Sequence, residues 1–266
     1  MLVSAPVVGR MQRLMLLWIG SGISKGFAFC ILWRALRTST IRKYPYFYAY
    51  IASTLTSILL PIVYLVDRPS YDRWYWPIQF GTLVLGCGVI VEIFQQVLSP
   101  YPGAKRFAKL TAFTAFGGLF CLAIAYALFH LDPSTAAAGI ELERNVRALQ
   151  AIFLFAVLGI IFGYAIPVGR NIRGMIVGYG GYIGVSLISR AVEVYAAQWL
   201  RLVWLYVQAF SFEVSLAIWL VALWSYQPNP APDPSVQIES DYEALASRTR
   251  RALNATRSYL GRASRI

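Results

Sequence analysis

Seven stretches of about 20 predominantly apolar residues, separated by short polar connectors, leave this chain few ways to fold. An α-helix of that length covers a hydrocarbon core of roughly 30 Å, and it satisfies its own backbone hydrogen bonds in lipid. No alternating pattern of a transmembrane barrel is present. The stretches are 14–36, 46–66, 78–98, 111–131, 147–168, 175–199 and 202–224. They predict an all-α, polytopic membrane protein with seven transmembrane helices. Only 14% of residues are charged and 58% are hydrophobic, whereas soluble domains carry about a quarter charged residues. Cys30, Cys87 and Cys121 all fall inside the apolar stretches and read as small buried hydrophobes. Arg10 and Arg13 before Leu14–Trp18 imitate a secretory signal, but no small-residue cleavage site follows, so the run is taken as the first span.

Orientation follows from the Lys and Arg residues in alternate connectors, because cationic segments resist translocation. One side holds Arg34, Arg37, Arg42, Lys43, Lys105, Arg106, Lys109, Arg170, Arg173 and six arginines of the tail. The other holds Arg10, Arg13, Arg68, Arg73, Arg144, Arg147 and Arg201, diluted by Asp67, Asp72, Asp132, Glu141 and Glu143. The first side is the expected cytoplasm, which places the N-terminus outside and the C-terminus inside the cytoplasmic (inner) membrane. Tyr71, Trp74, Tyr75, Trp76, Trp199 and Trp204 form an expected outer aromatic belt; Tyr44, Tyr46, Tyr48, Tyr101, Trp224 and Tyr226 form an inner one.

The membrane region is expected to occupy residues 1–226. Residues 227–239, with Pro228, Pro230, Pro232 and Pro234, read as an extended linker. Residues 240–266 read as a basic amphipathic cytoplasmic helix. Ser240 and Glu243 have capping-box spacing, and Tyr242, Leu245, Thr249, Leu253, Thr256 and Leu260 share a face. Arg248, Arg250, Arg251, Arg257 and Arg262 on the other faces suit contact with anionic lipid or a cytoplasmic protein partner.

Five ionisable residues fall inside predicted spans: Lys25, Glu92, Arg190, Glu193 and Glu213. Each costs roughly 2.5–3.5 kcal/mol near a helix centre on insertion scales, so each must pair, meet water or be neutral. They are candidates for a ligand site or an ion relay. Lys25 and Glu213 lie at similar depth on the first and last spans, which adjoin in a closed ring. Arg190 and Glu193, at i and i+3, share a face nearer the outer side, and Glu92 could bond to Gln95 or Gln96. Gly159 and Gly163, Gly174 and Gly178, and Gly180 and Gly184 stand four apart, the spacing that lets helix backbones approach closely. Pro61 is expected to kink the second span.

Several chemistries are excluded or lack a signal. The only histidine is His130, which rules out a histidine-rich metal site, and no cofactor is expected. No Gly-x-Ser-x-Gly elbow, no lysine in the seventh span and no nucleic-acid motif is found.

Two segments resemble a known type of protein. Tyr44-Pro45-Tyr46-Phe47-Tyr48-Ala49-Tyr50 opens the second span, and Glu92-Ile93-Phe94-Gln95-Gln96-Val97 leads to Pro100-Tyr101-Pro102-Gly103. Together they resemble a family of uncharacterised bacterial seven-helix integral membrane proteins of the acidobacterial type. A fainter similarity is to the seven-helix sensory regions of bacterial histidine kinases. The resemblance implies a seven-helix membrane fold and carries no activity. The short connectors favour a non-enzymatic function, as a sensor-like protein or an accessory subunit, with a ligand entering from outside near Arg190 and Glu193. The alternative is a proton- or ion-coupled transporter using Lys25 and Glu213. An intramembrane transferase or hydrolase acting on lipid is a third class with no recognisable catalytic set.

Overall fold

Apolar side chains hide their bulk only where helices touch, so the packing pattern begins with which helices meet. The computed structural model describes residues 5–56, 68–129, 135–195, 198–231 and 238–263. Among these, every regular element is helical: α1 Ala5–Thr38, a 3-10 turn Thr40–Arg42, α2 Pro45–Thr56, α3 Arg68–Val97, α4 Pro102–Phe129, α5 Thr135–Gly163, α6 Arg170–Tyr195, α7 Gln198–Ala222 and α8 Ile238–Ala263. Helix α1 packs on α2 and α7, α2 on α3, α3 on α5, α5 on α6, and α6 on α7. These contacts close a ring of six helices. Helix α4 stands outside it, against α3 and α5, and carries the start of α8.

Two helices are long and apolar enough to cross a membrane among the described residues, over Pro77–Val97 of α3 and Glu141–Gly163 of α5. The outer surface of the bundle is rich in large apolar side chains, including Phe29, Trp33, Phe155, Phe162 and Phe210. Its interior holds polar ones, including Glu92, Arg147, Gln150 and Asn171.

The helices extend past the apolar stretches. Helix α3 begins at Arg68, α4 at Pro102 and α5 at Thr135, so the connectors expected before 78, 111 and 147 are largely helical. Apolarity marks where a helix meets lipid, whereas its hydrogen-bond ladder continues through polar residues. Helix α8 likewise starts two residues before the expected cap, with Glu239 and Asp241 in its first turn, where acidic side chains favour the helix dipole. Residues 57–67, including Pro61, lie outside the described residues. Helix α5 stops at a left-handed Ala165 (φ 49°), with the Ile166 N–H donating to the Ile161 carbonyl (3.0 Å). That is a helix-ending motif usually built on glycine.

Two sequence expectations about burial are corrected. Cys87 is buried, but Cys30 and Cys121 are exposed, because an apolar stretch does not reveal which face turns outward. Of the inner aromatic belt, Tyr46, Trp224 and Tyr226 are exposed, whereas Tyr44, Tyr48 and Tyr101 are buried among the helices.

Of the three glycine pairs, Gly174 and Gly178 make the expected close approach. A Cβ at Gly174 would collide with Ala222 and one at Gly178 with Trp219, both on α7. The Ser215 hydroxyl donates to the Gly178 carbonyl (2.8 Å) across the same seam. Gly159, Gly163 and Gly184 meet nothing within 4 Å, and Gly180 only brushes Leu154.

Candidate functional site

A buried ionic group must be neutralised or hydrogen-bonded, so each charge inside the bundle is identified by its partners. Glu92 on α3 faces the N-terminus of α2. It accepts the backbone N–H of Tyr46 on Oε1 (3.3 Å) and of Phe47 on Oε2 (2.9 Å). The first N–H groups of a helix have no partner of their own and carry a partial positive charge. Glu92 thus caps α2 from 46 residues away, and Gly88, one turn earlier, leaves room for the Tyr46 ring.

Arg147 presents the opposite case. The sequence counts it among the outer-side charges, at the start of the fifth span. It is 8% exposed and points into the ring. Glu143, Arg147 and Gln150 stand at i, i+4 and i+7 and so occupy one face of α5. The Arg147 guanidinium donates to the Tyr182 hydroxyl (3.3 Å), lies near Tyr50, and stands 4.9 Å over the Tyr182 ring. Its ion pair with Glu143 is loose, at 3.8 Å. Gln150 donates to Cys87 Sγ (3.6 Å). Gly86 on α3 makes the space: a Cβ there would strike the Tyr179 hydroxyl and lie 3.0 Å from Gln150 Nε2.

Aromatic rings wall this cluster. Tyr50 meets Tyr179 edge-on at 5.5 Å, Phe47 meets Trp219 edge-on at 5.2 Å, and Tyr182 packs on Phe212 at 5.2 Å. Three buried polar atoms of the cluster, Arg147 Nε, Gln150 Oε1 and the Tyr179 hydroxyl, meet no hydrogen-bond partner among the described residues. On its other side Arg147 lines a cleft of about 40 Å³ between α3 and α5, with Gln79, Thr82 and Glu143. A guanidinium with an unused edge, phenolic hydroxyls and a free amide oxygen can hold a small anion or carboxylate with its waters. Among the described residues, no nucleophile hydrogen-bonded to a base accompanies them.

The sequence candidates lie elsewhere. Glu213 on α7 accepts the Ser24 hydroxyl of α1 (3.4 Å), next to Lys25, so the first and last of the ring helices do adjoin. Arg190 and Glu193 belong to the last turns of α6, and their side chains lie outside the described residues. Arg248, Arg250 and Arg251 are exposed on α8, and the side chains of Arg257 and Arg262 lie outside the described residues. Tyr50, Arg147, Gln150, Tyr179 and Tyr182 went unrecognised in the sequence. The i, i+4, i+7 spacing of Glu143, Arg147 and Gln150 was the available signal. Family models, curated proteins and solved structures yield no match to this chain.

Proposed function

We propose that this chain is a seven-span protein of the cytoplasmic membrane, N-terminus outside, that acts as a sensor-like receptor for a small anionic or carboxylate ligand held at Arg147. The membrane setting is supported by the apolar exterior around a polar interior, since soluble monomers rarely expose such large apolar patches. Tyr179 and Tyr182 lie nine and twelve residues along α6, ~13–18 Å at 1.5 Å per residue, the middle of a 30 Å core. The observation that carries the reading is the buried Arg147 with hydrogen-bonding capacity left over beside a cleft.

A ligand on the free edge shares the guanidinium with Tyr182 and Glu143. It signals only if it binds two arrangements of these helices unequally. The output has a route. Asn171 on α6 donates to the Ala222 and Ser225 carbonyls (3.2 and 3.0 Å) and accepts the Gln227 N–H (2.8 Å). A shift of α6 is therefore passed to the segment leading to α8, which would engage a cytoplasmic partner or make the chain an accessory subunit.

Thermal unfolding of the purified full chain with chloride, nitrate, phosphate and small carboxylates tests this. A ligand at 100 times its Kd adds about 2.7 kcal/mol of stability. At least one should stabilise the native chain and fail to stabilise Arg147→Gln. An equal shift in the variant sinks the site.

The second reading, a proton- or ion-coupled transporter, is favoured by the apposition of Ser24 and Glu213 beside Lys25. Proteoliposome uptake that a protonophore abolishes, and that Glu213→Gln disables, would establish it instead.

A further inference from the structure

Outside the six-helix ring, α4 and α5 diverge and leave an apolar groove of about 350 Å³, floored by Ala104, Ala108 and Ala156 and backed by Phe94 and Phe153. Its wall on α5 runs from Phe153 to Tyr164, eleven residues or ~16 Å of helix. The groove is lined by apolar side chains along most of its length, a surface that suits a hydrocarbon chain. Small residues make the space: larger side chains at 104, 108 and 156 would fill it.

The start of α8 closes one end. The Gly103 N–H donates to Glu239 Oε1 (2.8 Å), the Tyr164 hydroxyl donates to Asp241 (3.1 Å), Tyr242 packs on Phe107 at 6.2 Å, and Ile238 is buried. This closed end carries the polar groups. Lys105, Arg106 and Lys109 lie on the first two turns of α4 beside it, and Arg248, Arg250 and Arg251 continue the positive field along α8. Lys105, Arg106, Lys109, Arg248, Arg250 and Arg251 outnumber Glu239, Asp241 and Glu243 there, so the excess charge at this end is positive.

We infer that the groove seats one acyl chain of an anionic phospholipid, its headgroup held by Lys105, Arg106 and Lys109. The hydrocarbon matches the groove's apolar lining. The headgroup phosphate matches the cations, each worth about 1 kcal/mol near an anionic headgroup. The site shares only the membrane setting with the Arg147 reading, so Arg147→Gln leaves lipid retention unchanged.

Native mass spectrometry of the full chain in mild detergent, titrated with phosphatidylglycerol or with phosphatidylcholine of the same chains, tests it. One phosphatidylglycerol should be retained per chain, at least about tenfold more tightly than phosphatidylcholine. Ala156→Phe should lower that retention at least about tenfold with an unchanged melting temperature. If Ala156→Phe fails to fold, the surface variant Lys105→Gln/Arg106→Gln/Lys109→Gln should abolish the preference for phosphatidylglycerol. Undiminished lipid in a folded Ala156→Phe, equal retention of the two lipids, or an unaltered preference in the surface variant overturns the inference. So does a dimer of the native chain that Ala156→Phe dissociates, since a second copy would then fill the groove.

Discussion

The tail end of the bundle and its middle both bury polar groups; the tail end fills most of them, with one unpartnered atom each on Tyr101 and Glu239, whereas the middle leaves several open in one cluster. At the tail end Glu92 meets two N–H donors, Asn171 makes three bonds, and Asn229 accepts from Gly169 N–H (3.2 Å) while donating to the Gln96 carbonyl (3.1 Å). Arg34 and Arg170 donate to the carbonyls of Trp224 and Val221. In the middle, Arg147, Gln150 and Tyr179 keep unused atoms. A buried polar group with its capacity filled is a tie between segments. One with capacity left over is where a ligand or water gains most by binding.

The comparison can be broken by substitution. Removing the carboxylate in Glu92→Ala orphans two buried N–H groups at once, and charge-assisted bonds are worth more than neutral ones. A loss of about 3 kcal/mol in reversible unfolding is expected. Glu92→Gln, which keeps one acceptor, should lose less. Asn171→Ala severs the joint between α6 and the segment after α7, and should cost about 2 kcal/mol by the same measurement. An effect near zero at both positions would erase the distinction between the two regions.

Smaller effects sharpen it. Ala165→Gly relieves an alanine held at positive φ and should gain about 1 kcal/mol, read as a rise in melting temperature. Arg147→Gln should change basal stability by less than about 1 kcal/mol, because the loose Glu143 partner reaches the cleft and so keeps access to solvent. A larger loss there would make Arg147 a tie like Glu92.

The all-α class was legible because seven apolar stretches of helical length admit little else. The helix ends were not: Arg68, Pro102 and Thr135 open helices well before the apolar residues begin, and hydropathy does not register a polar helical turn. Glu92 was recognisable as a charge in the wrong place. Its partner was not, because a capping contact depends on where another helix begins in space. The partners of Arg147 were not legible for a related reason. Counting it with Arg144 among the charges of one side says nothing of its facing, while rotation about α5 turns Arg147 inward and leaves Arg144 outside. The tyrosines that receive it come from α2 and α6, and no local pattern links them.

The most direct test of the central claim is a titration of the purified full chain with the best stabilising anion, followed by intrinsic fluorescence, with Trp219 among the rings beside Tyr179 and Tyr50. The native protein should show a saturable change that Arg147→Gln lacks and Glu92→Gln retains with its midpoint within about twofold, or ~0.4 kcal/mol. Saturation with the same midpoint in Arg147→Gln, or none in the native chain for any small anion, would contradict the assignment of the bundle's middle as a ligand site.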